Sequence, residues 1–261
     1  MTEKIKIVSG WTNPGGSTTA FINLCNLFNE NGIDCTFYGP HDWHIGRCKS
    51  GKMDQCRVNE EGEIVLVHFL KFPVRPDESK KVILACHDKE IYPVKDIKQF
   101  WDDVVYVSNS QMFWQGVSGT VIPNVISNLE KSGSKSEVAG VIGSIDRNKN
   151  THESIHRALE DGHSKVVLYG IVTDTEYYEE HVEKYVDSGK AELRMYEDNK
   201  QKMYNSLGVV YHSSLSETFN FIKAECDLTG TEYLGLESSE SGAEYWNNEK
   251  ILEKLKTRLG I

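Results

Sequence analysis

The length, composition and charge of the chain already limit what it can be. Its 261 residues suffice for one large domain or for two of about 125 residues each. No apolar run approaches the roughly 20 residues that a membrane-spanning helix needs. The net charge of −10 is uneven, because residues 1–127 carry 13 basic and 15 acidic side chains (net −2) and residues 128–261 carry 16 and 24 (net −8). The second half is therefore not expected to bind a polyanion nonspecifically.

The nearly neutral first half could still hold an anionic acceptor. Four basic side chains would help it to do so: Lys71, Arg75, Lys80 and Lys81. An ordinary solvated surface has the same composition, so both interpretations stay open.

The amino terminus and the cysteines indicate a reducing compartment. Residues 1–4 lead straight into a short apolar run, unlike a signal peptide. The cysteines are scattered and are interpreted as reduced thiols in a cytoplasmic protein. His41, His44, Cys48 and Cys56 could be folded around zinc, but their spacing matches no compact ligand pattern, and we predict no metal.

Short β-branched runs alternate with helical patterns along the whole chain. The predicted strands are Ile5–Val8, Thr36–Tyr38, Ile64–Val67, Val82–Ala85, Val104–Val107, Val138–Ile142, Val166–Tyr169, Val209–Tyr211 and Tyr233–Leu236. The predicted helices include Thr18–Asn31, Asn150–Asp161, Thr175–Asp187 and Asn199–Ser206. This alternation predicts an α/β fold with parallel sheets covered by helices on both faces.

A polar segment divides the strands into two similar sets. Residues 127–137 contain one apolar residue in eleven, which is typical of a surface linker. We therefore predict two Rossmann-like lobes, residues 1–127 and 128–243, that face each other across a cleft. The amphipathic residues 244–261 predict a closing helix, a candidate to pack back on the first lobe.

Three features of the first lobe fall where strands are predicted to end. Gly15 and Gly16 follow the first strand and precede a helix, an arrangement that lets backbone approach a phosphate or a sugar. His87 follows the fourth strand and could hold a hydroxyl, and His68 at the end of the third strand has a weaker case. Ligands of open α/β sheets bind at such strand ends.

Two cations follow the first strand of the second lobe. Arg147 and Lys149 lie in the loop between the strand Val138–Ile142 and a helix. Two positive charges at this place could neutralise a diphosphate and stabilise it as a leaving group. Ordinary surface charge explains them equally well if they are considered alone.

A pair of glutamates brackets the start of a predicted helix. Glu217 and Glu225 have seven residues between them, with Thr218 or Ser216 as the expected helix cap and Gly230 as the stop. Their backbones would lie about 12 Å apart, on either side of the amide groups that favour an anion. This layout suits a sugar nucleotide, whose hydroxyl groups flank a diphosphate.

Six motifs in order resemble the retaining GT-B glycosyltransferases of the large family 4 group. The motifs are Gly15-Gly16, Cys86-His87-Asp88, Val107-Ser108-Asn109-Ser110, Val121-Ile122-Pro123-Asn124-Val125, Gly143 with Lys149 six positions later, and Ser213–Phe219 with Ala224-Glu225-Cys226 and Gly230-Thr231. Each motif is modest alone, whereas the ordered set covers nearly the whole chain. The resemblance implies a two-lobed, metal-independent enzyme that moves a sugar from a nucleoside-diphosphate sugar to an acceptor.

The resemblance also implies a role for the residues around the glutamate pair. Glu217 would hold hydroxyls of the transferred sugar. Thr218 would lie at the helix start, and the backbone amides of Phe219 and Asn220 would lie near the phosphates. Glu225 would bind the ribose hydroxyls.

Further roles fall on other loops. The other residues expected to bind the donor are Gly15, Gly16, Arg147, Lys149 and Met195. Lys149 would grip the diphosphate, and backbone near Met195 would contact the base. His87 would lie beside the sugar and the acceptor, so His87, Lys149 and Glu217 are the expected catalytic residues.

The chain departs from the family pattern at several positions. Ser144 stands where the family usually has a phosphate-binding arginine, so either Arg147 substitutes for it or the phosphate grip is weaker. Asn150 and Asn220 replace glycines, and Glu232 replaces a proline.

Two alternatives to a sugar transferase remain open. One is a sugar-nucleotide-binding protein or partner subunit that transfers weakly or not at all, which the missing arginine at Ser144 suggests. The other is a glycosyltransferase that acts on nucleic acid, perhaps on a modified base. The sequence leaves the donor base, the sugar and the acceptor (a glycan, a lipid-linked sugar or, less in keeping with the charge, nucleic acid) undetermined.

Overall fold

The chain forms two compact units. A computed structural model describes residues 4–10, 12, 15–56, 64–68, 81–87, 101–131, 136–239 and 246–261. Unit 1 is Met1–Ile126 together with Glu244–Ile261, and unit 2 is Ser127–Ala243. Four residues named above lie outside the described residues: Lys71, Arg75, Lys80 and Asp88.

Each unit contains one sheet whose strands all run parallel. In unit 1 the strands are β1 (Lys4–Ser9), β2 (Asp34–Gly39), β3 (Ser50–Lys52), β4 (Ile64–His68), β5 (Lys81–Cys86), β6 (Asp103–Tyr106) and β7 (Thr120–Val121). In unit 2 they are β8 (Ala139–Ile142), β9 (Val166–Tyr169), β10 (Ala191–Leu193), β11 (Val209–His212) and β12 (Glu232–Gly235).

Helices follow most of these strands. They are α1 (Gly16–Glu30), α2 (Asn109–Gln115), α3 (Thr151–Glu160), α4 (Thr175–Tyr177), α5 (Glu183–Asp187), α6 (Lys200–Asn205), α7 (Phe221–Thr229) and α8 (Asn248–Leu259). A π-helical turn, Tyr178–Val182, joins α4 to α5, and short 3-10 turns cover Asp42–His44, Met53–Gln55 and Glu237–Ser239. Among the described residues, no helix is both long enough and apolar enough to cross a bilayer.

The two cores explain why the strands form. Every residue of β4 is buried, as expected for a parallel strand that is covered on both faces. On one face of this sheet, Phe21 and Phe28 of α1 pack in the same cluster as Ile251 and Leu255 of α8. The last helix of the chain therefore belongs to unit 1.

Unit 2 has a separate core on each face of its sheet. Val166 and Leu168 pack with Ile155 of α3, whereas the intervening Val167 packs with Tyr204 of α6. This alternation is the two-residue period of a strand with both faces buried. The sheet is thus enclosed between helices.

The strand order in both units creates a switch point. Unit 1 has the order β3-β2-β1-β4-β5-β6-β7, and unit 2 has β10-β9-β8-β11-β12. In each sheet the first strand lies inside the sheet, and the chain crosses to the other side of this strand at the fourth strand. Ligands of open α/β sheets bind beyond the carboxyl ends of the strands at this point, so a ligand site is expected at the ends of β1 and β4 or of β8 and β11.

One predicted boundary is wrong. Neither Thr218 nor Ser216 caps the helix after β11, because α7 begins at Phe221 and Asn220 is its cap, accepting a 2.9 Å hydrogen bond from the amide of Lys223. Asparagine is at least as good a cap as threonine, and its position decides the start. The predicted stop is confirmed, since Gly230 adopts the left-handed conformation at the helix end.

Candidate functional site

The loop after β8 is organised by one carboxylate. Oδ1 of Asp146 accepts a hydrogen bond from the amide of Lys149 at 2.8 Å, and Oδ2 accepts from the hydroxyls of Ser144 at 2.5 Å and Thr173 at 3.2 Å. Three hydrogen bonds to one charged group fix a loop strongly. The position of Lys149 is therefore set by its neighbours in the loop and by the segment that follows β9.

Backbone conformation also shapes this loop. Asn150, which precedes α3, has a φ of 51°. Glycine adopts this left-handed region most readily, and asparagine adopts it more readily than most other residues. This explains how Asn150 can stand where the family that the sequence resembles has glycine. A Cβ atom on Gly170 would lie 1.7 Å from the carbonyl oxygen of Gly143, so glycine at position 170 is required for the close approach of the β8 and β9 ends.

A second loop, after β11, is joined to the first through Asn148. The carbonyl oxygen of Asn148 accepts a hydrogen bond from the amide of Leu215 at 2.8 Å. Its side-chain Nδ2 donates to the carbonyl oxygen of Ser216 at 3.3 Å, and its Oδ1 accepts from the Ser216 hydroxyl at 3.2 Å. These contacts hold together two loops that are far apart in the sequence.

The two loops bring Lys149 and Glu217 into contact at the switch point of unit 2. Nζ of Lys149 donates to Oε1 of Glu217 at 2.6 Å. Nε2 of His212, the last residue of β11, lies 3.0 Å from the same oxygen. The side chains of Glu217 and His212 are 11% and 2% exposed, and that of Lys149 is 25% exposed. This buried carboxylate, which contacts nitrogen atoms of Lys149 and His212, is the centre of the candidate site.

The partners of Glu217 decide its charge. Burial raises the pKa of the carboxyl, but the charge of Lys149 and the hydrogen bond from His212 outweigh burial and bring the pKa to about 2. Glu217 is therefore ionised at neutral pH and can accept hydrogen bonds from hydroxyl groups.

Glu225 lies on α7 with partners of its own. Its side chain is 3% exposed, with Oε1 bonded to Nζ of Lys200 and Oε2 accepting from the hydroxyl of Tyr204 at 2.8 Å. Burial, together with the charge of Glu225, raises the pKa of Tyr204 well above its usual range, so this hydroxyl stays a donor. Glu217 and Glu225 thus belong to two separate networks.

The residues between the glutamates form the entry to α7. Phe219 is buried, with its ring centroid 4.9 Å from that of Phe221 in an edge-on arrangement, and Nδ2 of Asn220 donates to the hydroxyl of Tyr233 at 2.8 Å. Thr218 is partly exposed in the turn before them. The amides of the first turn of α7 carry the partial positive charge of a helix start.

Arg147 points to acidic side chains beyond the loop. Its guanidinium lies 3.2 Å from Asp174, 2.9 Å from Glu176 and 3.8 Å from Glu180, and the side chain is half exposed. The acidic partners come from the end of the loop after β9 and from the helical segment behind it. Arg147 and Lys149, two residues apart, therefore have different partners.

Met195 follows β10 in an unusual backbone conformation. Its φ is 56°, and the residue is more than half exposed. The neighbouring Tyr196 is nearly half exposed. A left-handed methionine is uncommon, and such positions cluster at functional sites. The conformation is thus compatible with a contact made by backbone at this strand end.

In unit 1, the paired glycines form the start of α1. Gly15 is the cap and Gly16 the first helical residue. The backbone of Gly15 is extended, which any residue can adopt, and a Cβ atom there would meet no atom of the described residues within 4 Å. Within that part of the chain, neither backbone strain nor packing accounts for this glycine.

The predicted histidines of unit 1 lie together at the ends of β4 and β5. The hydroxyl of Ser9, at the end of β1, lies 2.8 Å from Nδ1 of His68. The ring centroid of His87 is 5.4 Å from that of His68 and 4.4 Å from that of Phe21. Burial, and then repulsion from His68, lower the pKa of His87 well below its usual range, so its imidazole is neutral. His87 also lines an apolar cavity together with Asn124.

The residues considered as zinc ligands, His41, His44, Cys48 and Cys56, do not form a ligand set in the described part of the chain. His41 and His44 have ring centroids 5.4 Å apart, and His44 bonds the carbonyl oxygen of Gly51 at 3.1 Å. Among the described residues, no group of three or more histidine, cysteine or acidic side chains is placed to hold a metal ion.

Sequence reasoning missed three partners in the two networks of unit 2: His212, Lys200 and Tyr204. His212 carried a usable signal, because it ends a predicted strand just as His87 and His68 do. Lys200 and Tyr204 carried none, since they reach Glu225 from a different helix.

We expect the left-handed backbone conformation of Asn150 to affect the free energy of unfolding of its variants. Asn150→Ala should lower the free energy of unfolding by about 1 kcal/mol relative to Asn150→Gly, because an alanine Cβ is disfavoured at positive φ. Urea denaturation of both variants, followed by circular dichroism, measures the difference. Equal stability of the alanine and glycine variants would contradict the assigned conformation.

We also expect the stability contributed by Glu217 to depend on pH. Its pKa of about 2 in the folded state lies below the ordinary 4.5, so the contribution is present above about pH 4.5 and is lost as the pH falls towards 2. The difference between the two pKa values corresponds to about 3 kcal/mol. Glu217→Gln should lose this amount at pH 7 and progressively less below pH 4, measured by urea denaturation.

Glu179→Gln is the control for that pH series, because Glu179 is exposed and its replacement should change stability little at any pH. A stability loss in Glu217→Gln that stays constant between pH 7 and pH 3 would contradict the low pKa.

The fold is shared with solved structures of glycosyltransferases. No family model matches the sequence, and no relative is found among the curated proteins. HepE of Anabaena, solved with UDP-glucose, is 12% identical, with a TM-score of 0.68 and coverage of 97% of this chain and 89% of that one. TarM, a protein of S. aureus, is 8% identical, with a TM-score of 0.72 and coverage of 100% and 92%.

A third similar structure was solved with a nucleic acid. It is an alpha-glucosyltransferase in complex with UDP and a 13-mer DNA, 12% identical, with a TM-score of 0.67 and coverage of 99% of this chain and 90% of that one. At such low identities the likeness is one of fold. The chain has the fold of the GT-B glycosyltransferases.

Proposed function

We propose that this chain transfers a sugar from a nucleoside-diphosphate sugar to an acceptor, with retention of anomeric configuration and without a metal ion. The observation that carries the proposal is the contact of Lys149 and His212 with the buried carboxylate of Glu217 at the switch point of unit 2. In this assignment unit 2 binds the donor and unit 1 binds the acceptor.

Lys149 is the proposed partner of the diphosphate. Its ammonium group lies at the end of β8, and the helix start of α7 follows the loop that contacts it. As the bond between the sugar and the phosphate breaks, negative charge grows on the departing diphosphate. A fixed cation and a helix start stabilise that charge, and they replace the Lewis acid that a metal would supply.

Glu217 is the proposed partner of the transferred sugar. Its low pKa keeps it an acceptor of hydrogen bonds at neutral pH. A sugar hydroxyl could bond this carboxylate while Lys149 contacts the neighbouring phosphate. Glu217 would then orient the sugar relative to its leaving group, which is the property that accelerates transfer.

Glu225 is the proposed partner of the ribose. Both of its oxygens already have donors, Lys200 and Tyr204, so the carboxylate is held in one orientation. Each carboxylate oxygen can accept a further hydrogen bond, and ribose hydroxyls would use this capacity. We propose that Met195 contributes backbone contacts to the base at the end of β10.

The arginine missing at position 144 is not replaced by Arg147 in this proposal. Arg147 would have to leave three acidic side chains to reach a phosphate. We therefore favour a weaker phosphate grip that depends on Lys149, with Thr218 and the backbone amides of Phe219 and Asn220 contributing at the helix start.

Unit 1 would hold the acceptor through His87, and the glycine turn, Gly15 and Gly16, stays a proposed contact of the donor diphosphate. The neutral imidazole of His87 can accept a hydrogen bond from an acceptor hydroxyl, and its packing against Phe21 fixes the ring. The open side of Gly15 and the first amides of α1 at Gly16 leave room for a polar group to approach backbone closely.

Two rival functions are separable by experiment. The solved complex of a similar fold with DNA favours testing a nucleic-acid acceptor, although the net charge of −10 opposes it. A labelled duplex that does not shift at low salt would eliminate this rival. Tight donor binding without any hydrolysis or transfer would instead favour a binding protein.

The proposal predicts stabilisation by one class of ligand. Among UDP-, GDP-, ADP- and dTDP-sugars, we expect at least one to raise the thermal midpoint, because a ligand at a hundred times its dissociation constant adds about 2.7 kcal/mol. Free phosphate and free sugars serve as controls. A panel in which no nucleoside-diphosphate sugar shifts the midpoint would overturn the donor assignment.

The two glutamates should differ in their effects. Glu225→Gln should chiefly raise the donor dissociation constant, whereas Glu217→Gln should chiefly lower the rate of transfer or donor hydrolysis. Steady-state kinetics with the donor identified by the thermal panel measure both. Glu179→Gln is the control, and the reverse division of effects would refute the assignment.

A further inference from the structure

His212 is held more firmly than the other partner of Glu217. It is the last residue of β11, its side chain is 2% exposed, and its backbone carbonyl accepts a 3.0 Å hydrogen bond from the amide of Leu236 beyond β12. Its ring lies 6.1 Å from that of Tyr233. A buried side chain on a paired strand has few alternative positions.

Lys149 contacts the same oxygen of Glu217, but it lies in a loop and is more exposed than His212. The distance from its Nζ atom to Oε1 is 2.6 Å. Lysine has four flexible methylene groups and a point charge, so it can exchange one anionic partner for another. A bound diphosphate would compete with Glu217 for this ammonium group.

We propose that His212 is the positioning residue that keeps Glu217 in place when Lys149 turns to the diphosphate. This inference rests on the proposed function. Nε2–H of His212 donates to Oε1 of Glu217 throughout, and Oε2 keeps its direction towards the sugar. In the absence of donor both Lys149 and His212 contact Glu217, and in the donor complex His212 keeps its contact after Lys149 has turned away.

The role of His212 depends on one donor atom at one distance. A glutamine at position 212 can place its amide nitrogen close to the position of Nε2, whereas an asparagine reaches only about as far as Nδ1. Leucine fills the space without a donor. The three variants therefore separate the hydrogen bond from the packing of the ring.

The test is steady-state turnover and direct donor binding by His212→Leu, His212→Asn and His212→Gln. Loss of a hydrogen bond to a charged group corresponds to about a 10- to 100-fold effect, and we expect it in kcat for the leucine and asparagine variants. The donor dissociation constant should stay within about threefold of wild type in both. His212→Gln should recover most of kcat.

Lys149→Met should give a different pattern, in which kcat falls and the donor dissociation constant also rises, because Lys149 contacts the diphosphate of the bound donor and stabilises the charge that grows on it. The matched control is His156→Leu, which removes a surface histidine 3.2 Å from Glu160 on α3 and should leave both constants unchanged. If the leucine variant does not fold, the comparison of glutamine with asparagine carries the test, since both keep a polar side chain.

The outcomes distinguish this inference from the function on which it rests. Wild-type protein that neither binds nor turns over any donor overturns both. Turnover by wild type with an unchanged kcat in His212→Asn overturns the role of His212 alone, and so does a loss confined to donor affinity. An asparagine variant as active as the glutamine variant has the same consequence.

Discussion

The structure of the site depends on keeping one buried carboxylate ionised. Removing Glu217 from water would favour its neutral form, and the charge of Lys149 and the hydrogen bond of His212 reverse that preference. These partners come from the ends of β8 and β11, the two strands that meet at the switch point of the second sheet. The charge of Glu217 therefore ties the two loops to each other, and Asn148 adds neutral hydrogen bonds to the same junction.

Much of the fold was predictable because burial leaves a simple pattern. Strands that are covered on both faces are continuous apolar runs, and the parallel sheets of both units follow from their alternation with helices. Three strands escaped prediction: Ser50–Lys52, Thr120–Val121 and Ala191–Leu193. They are two or three residues long, and each lies at the edge of its sheet, where pairing with a longer neighbour compensates for weak intrinsic preference. The start of α7 was misplaced because several adjacent residues are good caps.

The residues of the candidate site could be proposed from the sequence where they stand in local motifs. Lys149 and Glu217 were proposed in this way, and the structure brings their side chains into contact. Their contact partners depend on which loops the sheet brings together, and Lys200 reaches Glu225 from a separate helix. The contacts of Arg147 could not be predicted from its position. The loop suggested a phosphate contact, which stays a prediction, and in the structure Arg147 forms ion pairs with carboxylates of the following segment. Linear spacing records which side chains share a loop but not the direction in which each one points.

The serine at position 144 has a physical consequence that fits these contacts. Its hydroxyl bonds Asp146, the carboxylate that also holds the amide of Lys149. Under the proposed function, an arginine at position 144 would add a cation near the diphosphate, whereas the serine helps to orient the loop that carries Lys149. Under the proposed function, the developing charge on the leaving group then relies on a single well-oriented lysine and the helix start. The lysine shared between Glu217 and the donor becomes the most sensitive point of the site, and a rigid second partner for Glu217 is what such sharing requires.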